Sequence, residues 1–449
     1  MEIIIGVLLL ISFIGLSIYC IKGYNLMIGF LIMSFIWFAL PITGNFLTND
    51  AEFIANNPFV GEPITDTIRA IFQSAPEGWG TTLVNVLWGA WFGRVLLETG
   101  VAATLVKKTV ELGGDRPIIT VSLLNLVVAI IFTSMTGAGP VIAIGVIVLP
   151  ILLALGIPKA IALFSFMGAV GAGIFLNPVN FAQFQLFYFT AGEEITYHFS
   201  DYVLWGVIAL GVMLVVTTIS TAIALGKQKA GRAWAAQTGR ATDNNYVPGI
   251  ALITPVFPVV GVIFLDIPVI FGFILAGFFA LFVCGKMKKF EEVCRLVNKM
   301  FCDGVIDTAP LVGFLLTLPM FNKAAEYAAP YFQVVIGDII PTSPLFLCII
   351  FAVLSVFGLF RGPLTLVGSG AATLGVIRHM FPVTLLYPLF AIGTVTMNIG
   401  SCITQSWVAW GLGYTKVEGK EFLKLSIPNG VIISFILAAI TYFMFGVGI

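Results

Sequence analysis

Charge is what this sequence has least of. Only 10% of its 449 residues are Asp, Glu, Lys or Arg, where a soluble domain carries about 25%. A surface so poor in charge cannot face water over most of its area. The 22 basic and 22 acidic residues cancel, so there is no electrostatic footprint for a nucleic acid. Histidine occurs twice, as His198 and His379, which leaves no imidazole cluster for a metal centre. Six cysteines, at 20, 284, 294, 302, 348 and 402, include no CxxC pair and no metal-ligand spacing. They read as small apolar fillers, with neither a disulfide framework nor a zinc site. A basic n-region is also missing: residues 3–20 are apolar, but Glu2 precedes them and no small-x-small cleavage site follows. The segment is therefore read as a retained first membrane helix.

What is present is apolar sequence, 59% of the chain, in runs long enough to cross a bilayer. Ten candidate spans lie near 2–21, 24–42, 79–98, 159–190, 201–226, 247–265, 267–284, 303–322, 383–412 and 426–447. Two further apolar pairs, 117–133 with 138–155 and 344–360 with 364–380, have arms of 17 or 18 residues. Bends at Thr136-Gly137-Ala138-Gly139-Pro140 and at Arg361-Gly362-Pro363 break them. Arms this short suit re-entrant hairpins, 117–155 and 344–380. With the N-terminus outside and both hairpins re-entrant, 17 basic residues fall on the cytoplasmic side. Only three, Arg69, Lys323 and Arg378, fall outside, and Arg94 and Arg361 stay within apolar segments. That bias sets the orientation and the expected location, a multi-pass protein of the inner (cytoplasmic) membrane. Residues 101–112, 286–300 and 323–336 read as amphipathic surface helices.

The two halves share landmarks at an almost constant offset. Gly89 and Gly313, Pro158 and Pro382, Asn177 and Ser401, and Asn180 and Thr404 are each 224 residues apart, and Gly137 and Gly362 are 225 apart. This divides the chain into a first repeat (1–226, with an interrupted helix at 159–190), a cytoplasmic connector (227–246) and a second repeat (247–449, with an interrupted helix at 383–412). The halves start on opposite sides, so the repeats are inverted. The expected fold is an all-α polytopic membrane protein, and inverted repeats of this kind carry their substrate site at the repeat interface near the midplane.

Four stretches put polar side chains at helix breaks: 133–137, 171–180, 360–363 and 398–405. A broken backbone at membrane depth leaves polar groups that a cavity, ion or ligand must satisfy. Arg361 stands out, because a charge at that depth is costly and functional by default. Beside Gly362 and a helix opened by Pro363, it reads as a receptor for a carboxylate or phosphate. The alternative is a structural pairing with Asp303 or Asp307. Ser134, Thr136, Asn177 and Asn180 offer neutral oxygens suited to Na⁺ and to substrate, with interhelical hydrogen bonding as the plainer role. Asn398, Ser401, Thr404 and Gln405 carry the same two readings in the second half. Asp303 and Asp307 read as a proton relay or as dipole-complementing carboxylates. Arg94 and Glu98 have the spacing of an i, i+4 pair. The two histidines read as solvated or capping. Gly168-x-x-Gly171-x-Gly173 lies inside an apolar span, so it reads as a packing face and not as a nucleotide fingerprint.

Two inverted halves, each with a hairpin and an unwound helix, resemble the ion transporter superfamily of organic-anion carriers. Within it, residues 79–159 are similar to the gluconate permease type. The similarity rests on Gly80-Thr81-Thr82-Leu83, Gly93-x4-Glu98-Thr99-Gly100, the polar-glycine tip followed by Leu149-Pro150-Ile151, and Arg361 followed by Gly368-Ser369-Gly370. The dicarboxylate carriers of that superfamily have Ser-Asn-Thr at both tips; Ser134-Met135-Thr136 keeps two of the three and Arg361-Gly362-Pro363 keeps none. The resemblance implies import of a carboxylate or sugar acid driven by Na⁺ or H⁺, by a homodimer in lipid. No cofactor beyond a bound Na⁺ is expected. A cation/proton antiporter using Asp303 or Asp307 is the alternative. A membrane enzyme would need a cluster of reactive titratable groups, and the sequence offers none.

Overall fold

The computed structural model describes residues 1–22, 24–114, 117–189, 195–227, 246–265, 267–336, 343–378 and 380–447. His379 and residues 228–245 of the connector lie outside the described residues. The described residues are helical, with no strand among them.

The first half runs α1 (Glu2–Ile21), α2 (Leu26–Leu47), short helices α3 (Ala51–Asn56), α4 (Ile64–Arg69) and α5 (Ala75–Gly78), then α6 (Gly80–Glu98) and α7 (Val101–Gly113). There follow α8 (Pro117–Phe132), α9 (Ala138–Ala154), α10 (Lys159–Ile174), α11 (Pro178–Gln185) and α12 (Phe199–Lys227). The second half runs α13 (Phe257–Leu265), α14 (Val269–Val283), α15 (Phe290–Ile336), α16 (Pro344–Val353), α17 (Gly370–Ile377), α18 (Val383–Ile392), α19 (Ser406–Thr415) and α20 (Gly419–Thr441). From α8 onward and from α16 onward the order is the same: a helix pair, an interrupted helix and a long last helix.

Among the described residues, four helices are individually long and apolar enough to cross a bilayer: Glu2–Tyr19, Met27–Leu47, Phe199–Gly226 and Gly419–Gly446. Two bent pairs reach that length only together: Lys159–Ile174 with Pro178–Tyr188, at 67°, and Pro344–Val353 with Ser355–Arg361, at 60°. The first bend is the interrupted helix expected at 159–190. Its cause is local: Pro178 cannot donate the hydrogen bond that would continue α10, and the Asn177 side chain caps the new helix instead.

The expected surface helices at 286–300 and 323–336 are not separate elements. Both are continuous with the span between them in α15, whose 47 residues extend about 70 Å, well beyond the bilayer core. Sequence patterning gave two amphipathic ends around an apolar middle, but the helix runs unbroken through both junctions, past Gly304 and Pro319. The second hairpin also differs from expectation. Its helical arms, α16 and α17, have 10 and 8 residues, and the tip between them is a broad irregular stretch. Cys294 and Cys302 are exposed, so they do not act as fillers.

The helices sort into two packed groups, each drawing on both halves. In one, α1, α2 and α6 pack on α15, and α14 packs on α6. Trp37 sits between Phe321 and Phe332 there and donates from Nε1 to Ser12 Oγ at 2.8 Å. In the other, α8, α12, α20 and α9 surround α10, which is buried throughout from Ile161 to Ile174. Glycine permits that burial: a Cβ on Gly173 would lie 2.3 Å from the Ala129 carbonyl oxygen, and one on Gly168 2.5 Å from Thr217 Cγ2. Polar side chains tie this group together across helices. Ser165 Oγ donates to Asn125 Oδ1 at 2.8 Å, and Asn429 Nδ2 donates to Thr217 Oγ1 at 3.1 Å.

Candidate functional site

A cavity of about 520 Å³ lies between the two groups. The first group contributes Asn25 and Met27, at the start of α2, and Asp307 and Thr308 of α15. The second contributes the tip between α8 and α9 (Thr136 to Ala138), α11 (Asn180, Gln183 and Phe184), Arg361 and Val367 of the second tip, and the start of α19 (Gln405 to Trp407). Of the residues singled out from sequence, Thr136, Asn180 and Arg361 therefore share one wall-to-wall space, although they are far apart in the chain. Gln183, Trp407, Tyr24 and Thr308 were not singled out. Gln183 and Thr308 lie within helices, Tyr24 lies between α1 and α2, and Trp407 lies just past the break at 398–405, so tertiary packing brings them to one cavity.

The first tip is a closed hydrogen-bonded unit. Asn177 Nδ2 donates to the carbonyls of Phe132 and Met135, both at 3.0 Å, while its Oδ1 accepts from the amides of Val179 and Asn180 at 2.9 and 3.1 Å. The side chain thus clamps the end of α8 to the start of α11, and its oxygen is committed to two backbone donors. Asn180 Nδ2 donates to Thr136 Oγ1 at 3.2 Å, and the fully buried Ser134 donates to the Ile131 carbonyl at 3.1 Å. Gly137, at φ +95° and ψ 169°, occupies a region closed to side chains, which lets the chain turn into α9.

The second tip is the opposite. Phe360 and Arg361 are consecutive non-glycine residues at φ +52° and +59°, a strain of about 1–2 kcal/mol each. The tip's links to the interrupted helix run from Leu366 N–H to Thr394 Oγ1 at 3.0 Å, between the Thr365 and Thr394 hydroxyls at 3.4 Å, and, at Phe360 itself, through a weak bond from N–H to Cys402 Sγ at 3.2 Å. Gly362 closes the turn by donating to the Leu359 carbonyl. Among the described residues no side chain pairs with the Arg361 guanidinium, and its buried Nε has no partner. Asn398, fully buried in the π-helical stretch Gly393–Ile399, likewise leaves both amide atoms unpartnered. Ser401 Oγ donates to the Thr396 carbonyl at 2.8 Å, and Thr404 Oγ1 contacts Cys402 Sγ at 2.9 Å. Neither residue lines the cavity.

Two pairings differ from the sequence reading. Arg94 does not pair with Glu98. It holds Asp307 through two bonds, Nε to Oδ2 at 2.6 Å and Nη2 to Oδ1 at 2.7 Å, while Glu98 pairs with Lys299 at 3.5 Å. The i, i+4 spacing loses because a guanidinium meets a carboxylate best as a two-pronged fork, and α15 supplies one at that depth. Asp307 is thereby taken and does not neutralise Arg361. Exposed His198 sits at the start of α12, where its backbone N–H donates to Asp201 Oδ2 at 2.8 Å.

No family model matches the chain, and no curated protein matches it. Among solved structures it is similar to the YdaH transporter of Alcanivorax borkumensis, which is described as having an unusual topology. The two are 13% identical, with a TM-score of 0.64, over 94% of this chain and 99% of that one. The chain shares that protein's fold and is an all-helical polytopic membrane protein. The similarity does not single out the gluconate permease type or the ion transporter superfamily. It does place the cavity within a fold shared with that transporter.

Proposed function

We propose that the chain is a cation-coupled secondary transporter that imports a small organic anion, a carboxylate or a sugar acid, by alternating access. The observation that carries this reading is the unpartnered Arg361 guanidinium on the wall of a cavity between two helical groups. An uncompensated cation in a low-dielectric site is costly unless an anion arrives to pair with it. Amide and hydroxyl groups of Asn180, Gln183, Thr136 and Gln405 surround it, as the oxygens of a polar anion require. The backbone strain at Phe360 and Arg361 fits a binding element held in position by its surroundings.

In this reading the group around α10 carries both tips and both interrupted helices, and moves against the group around α15 in an elevator-like or rocking step. The coupling ion, Na⁺ or H⁺, is a substrate of the same cycle. For Na⁺ the supporting oxygens are those of Ser134, Thr136 and Asn180, with Asn177 holding the tip in shape. Ser401, Thr404 and Asn398 stand behind the second tip and shape the Arg361 side of the site. Inverted repeats (1–226 and 247–449), the re-entrant hairpins, the inner membrane and a homodimer in lipid belong to the same reading, as does a resemblance to gluconate permease-type carriers. The antiporter alternative loses support because both oxygens of Asp307 are engaged by Arg94.

The test is counter-transport in proteoliposomes. Arg361→Ala is expected to abolish exchange of carboxylates and sugar acids while the protein still purifies as a folded species. Exchange at the wild-type rate in that variant would remove the guanidinium from the site. Replacing Na⁺ with choline, at fixed and at imposed pH gradients, separates Na⁺ from H⁺ coupling. Dissipation of a pH gradient by Na⁺ without any anion would favour the antiporter.

A further inference from the structure

We infer that the Arg94–Asp307 pair sets the charge class of the substrate, so that the cavity takes anions with one carboxylate and discriminates against those with two. This rests on the anion reading above and deepens it.

The argument is a count of charge at the cavity wall. Among the described residues that line it, only Arg361 and Asp307 are ionisable at neutral pH with a full charge; the others are amides, hydroxyls, aromatic rings and apolar groups. Asp307 is closed on itself by the two-pronged bond from Arg94, with side-chain exposures of 25% for Arg94 and 13% for Asp307. The α9 N-terminal turn also faces this carboxylate. A Cβ on Gly139 would fall 2.4–2.5 Å from all three of its terminal atoms, so the carboxylate sits where only a glycine leaves room. The pair is neutral as a unit, so the protein's own charge at the site is that of Arg361, plus one, and the charge count is read in buffer without Na⁺.

A single carboxylate brings that site to neutrality. A second one would find no free protein cation on the wall and would meet the Asp307 carboxylate there. The remaining charges nearby do not alter the count. Asp303, one turn along α15, is half-buried and is not among the described lining residues, and Lys299 and Glu98 pair with each other. Arg94 comes from the first half and Asp307 from the second, so the charge that Arg361 presents alone is fixed by a contact between repeats. Arg94 and Asp307 are in this sense specificity-determining residues, and Asp307 needs no bond to substrate to act as one.

The experiment uses the purified full chain and acids matched except for one carboxylate, butyrate with succinate and gluconate with glucarate. Thermal-shift titration and competition for counter-transport are both read at pH 7. The wild type is expected to favour the monoanion of each pair by at least about tenfold, the scale of one uncompensated charge at short range. Asp307→Asn frees Arg94 and raises the site to plus two, so the ratio should move toward the dianion by at least about tenfold. Arg94→Gln with Asp307→Asn restores plus one and should restore the monoanion preference. Equal or better binding of dianions by the wild type, which needs no variant to fold, overturns the inference. So does an equal loss for all four acids in both variants, which would make the pair a structural latch. If the wild type prefers dianions and Arg361→Ala loses both classes, the anion reading stands and only the charge class falls. Binding unaffected by Arg361→Ala, or no binding of any of the four acids, overturns both.

Discussion

The two halves follow one plan from the hairpin onward and differ in what they do with their polar groups. In the first half, Asn177 spends all of its hydrogen-bonding capacity on the backbone of its own tip and helix break. In the second half, the tip is met by the Thr394 hydroxyl and by a thiol, and Arg361 and Asn398 are left with unpartnered buried atoms. The first tip is clamped by one side chain, whereas the second is tied mainly by backbone bonds such as Ser369 N–H to the Arg361 carbonyl at 2.9 Å, and leaves the Arg361 side chain free. A further contrast lies in the helices before the tips. The first half is broken at Trp79 and turns at Gly100, φ +82°, while the second runs through the same region without interruption as α15.

The largest expected effect breaks the contrast between the tips. Arg361→Gly gives the second tip the residue type that Gly137 supplies in the first. Anion uptake should fall by about a hundredfold, the scale of losing one partner of a desolvated charge pair. Stability should meanwhile rise by about 1 kcal/mol as the left-handed strain is relieved. Uptake assays and denaturation in detergent read the two changes separately, and a loss of both would mean that the strain is not where the backbone angles place it.

Next in size is a comparison of the clamps. Asn177→Ala leaves two carbonyls and two amides of the first tip without partners and should cost about 3 kcal/mol. Cys402→Ala removes only a weak acceptor and should cost about 1 kcal/mol or less. Similar losses for the two, measured as shifts in detergent denaturation, would erase the distinction between a held tip and a free one.

The smallest effects concern the helix break. Gly100→Ala should cost about 1 kcal/mol, because a Cβ at a left-handed angle is strained. Its counterpart 224 residues on is Ala324, buried inside α15. Ala324→Gly should cost about the same, through helix propensity. If either substitution stabilised the protein, the bent and straight forms would not be set by these residues.

Much of the architecture was legible in the sequence because lipid makes strong demands. Scarce charge and long apolar runs select helices as the spanning elements, and Pro178 and Gly137 mark real breaks. What pattern missed was continuity, since nothing in residues 286–336 says whether an amphipathic stretch leaves its helix or prolongs it. It missed partners as well: Arg94 has Glu98 at helical spacing but meets Asp307, 213 residues away.

By itself, the sequence determined the solvent, the helical class, the places where helices must break and an arginine set within an apolar segment. Only the tertiary structure decided which polar groups are spent and which are free. Apolar periodicity and helix breaks follow from neighbours in the chain, and those neighbours are written in order. Hydrogen-bond and charge pairing depend on which helices come together, and a few ångströms decide whether Asp307 neutralises Arg94 or Arg361.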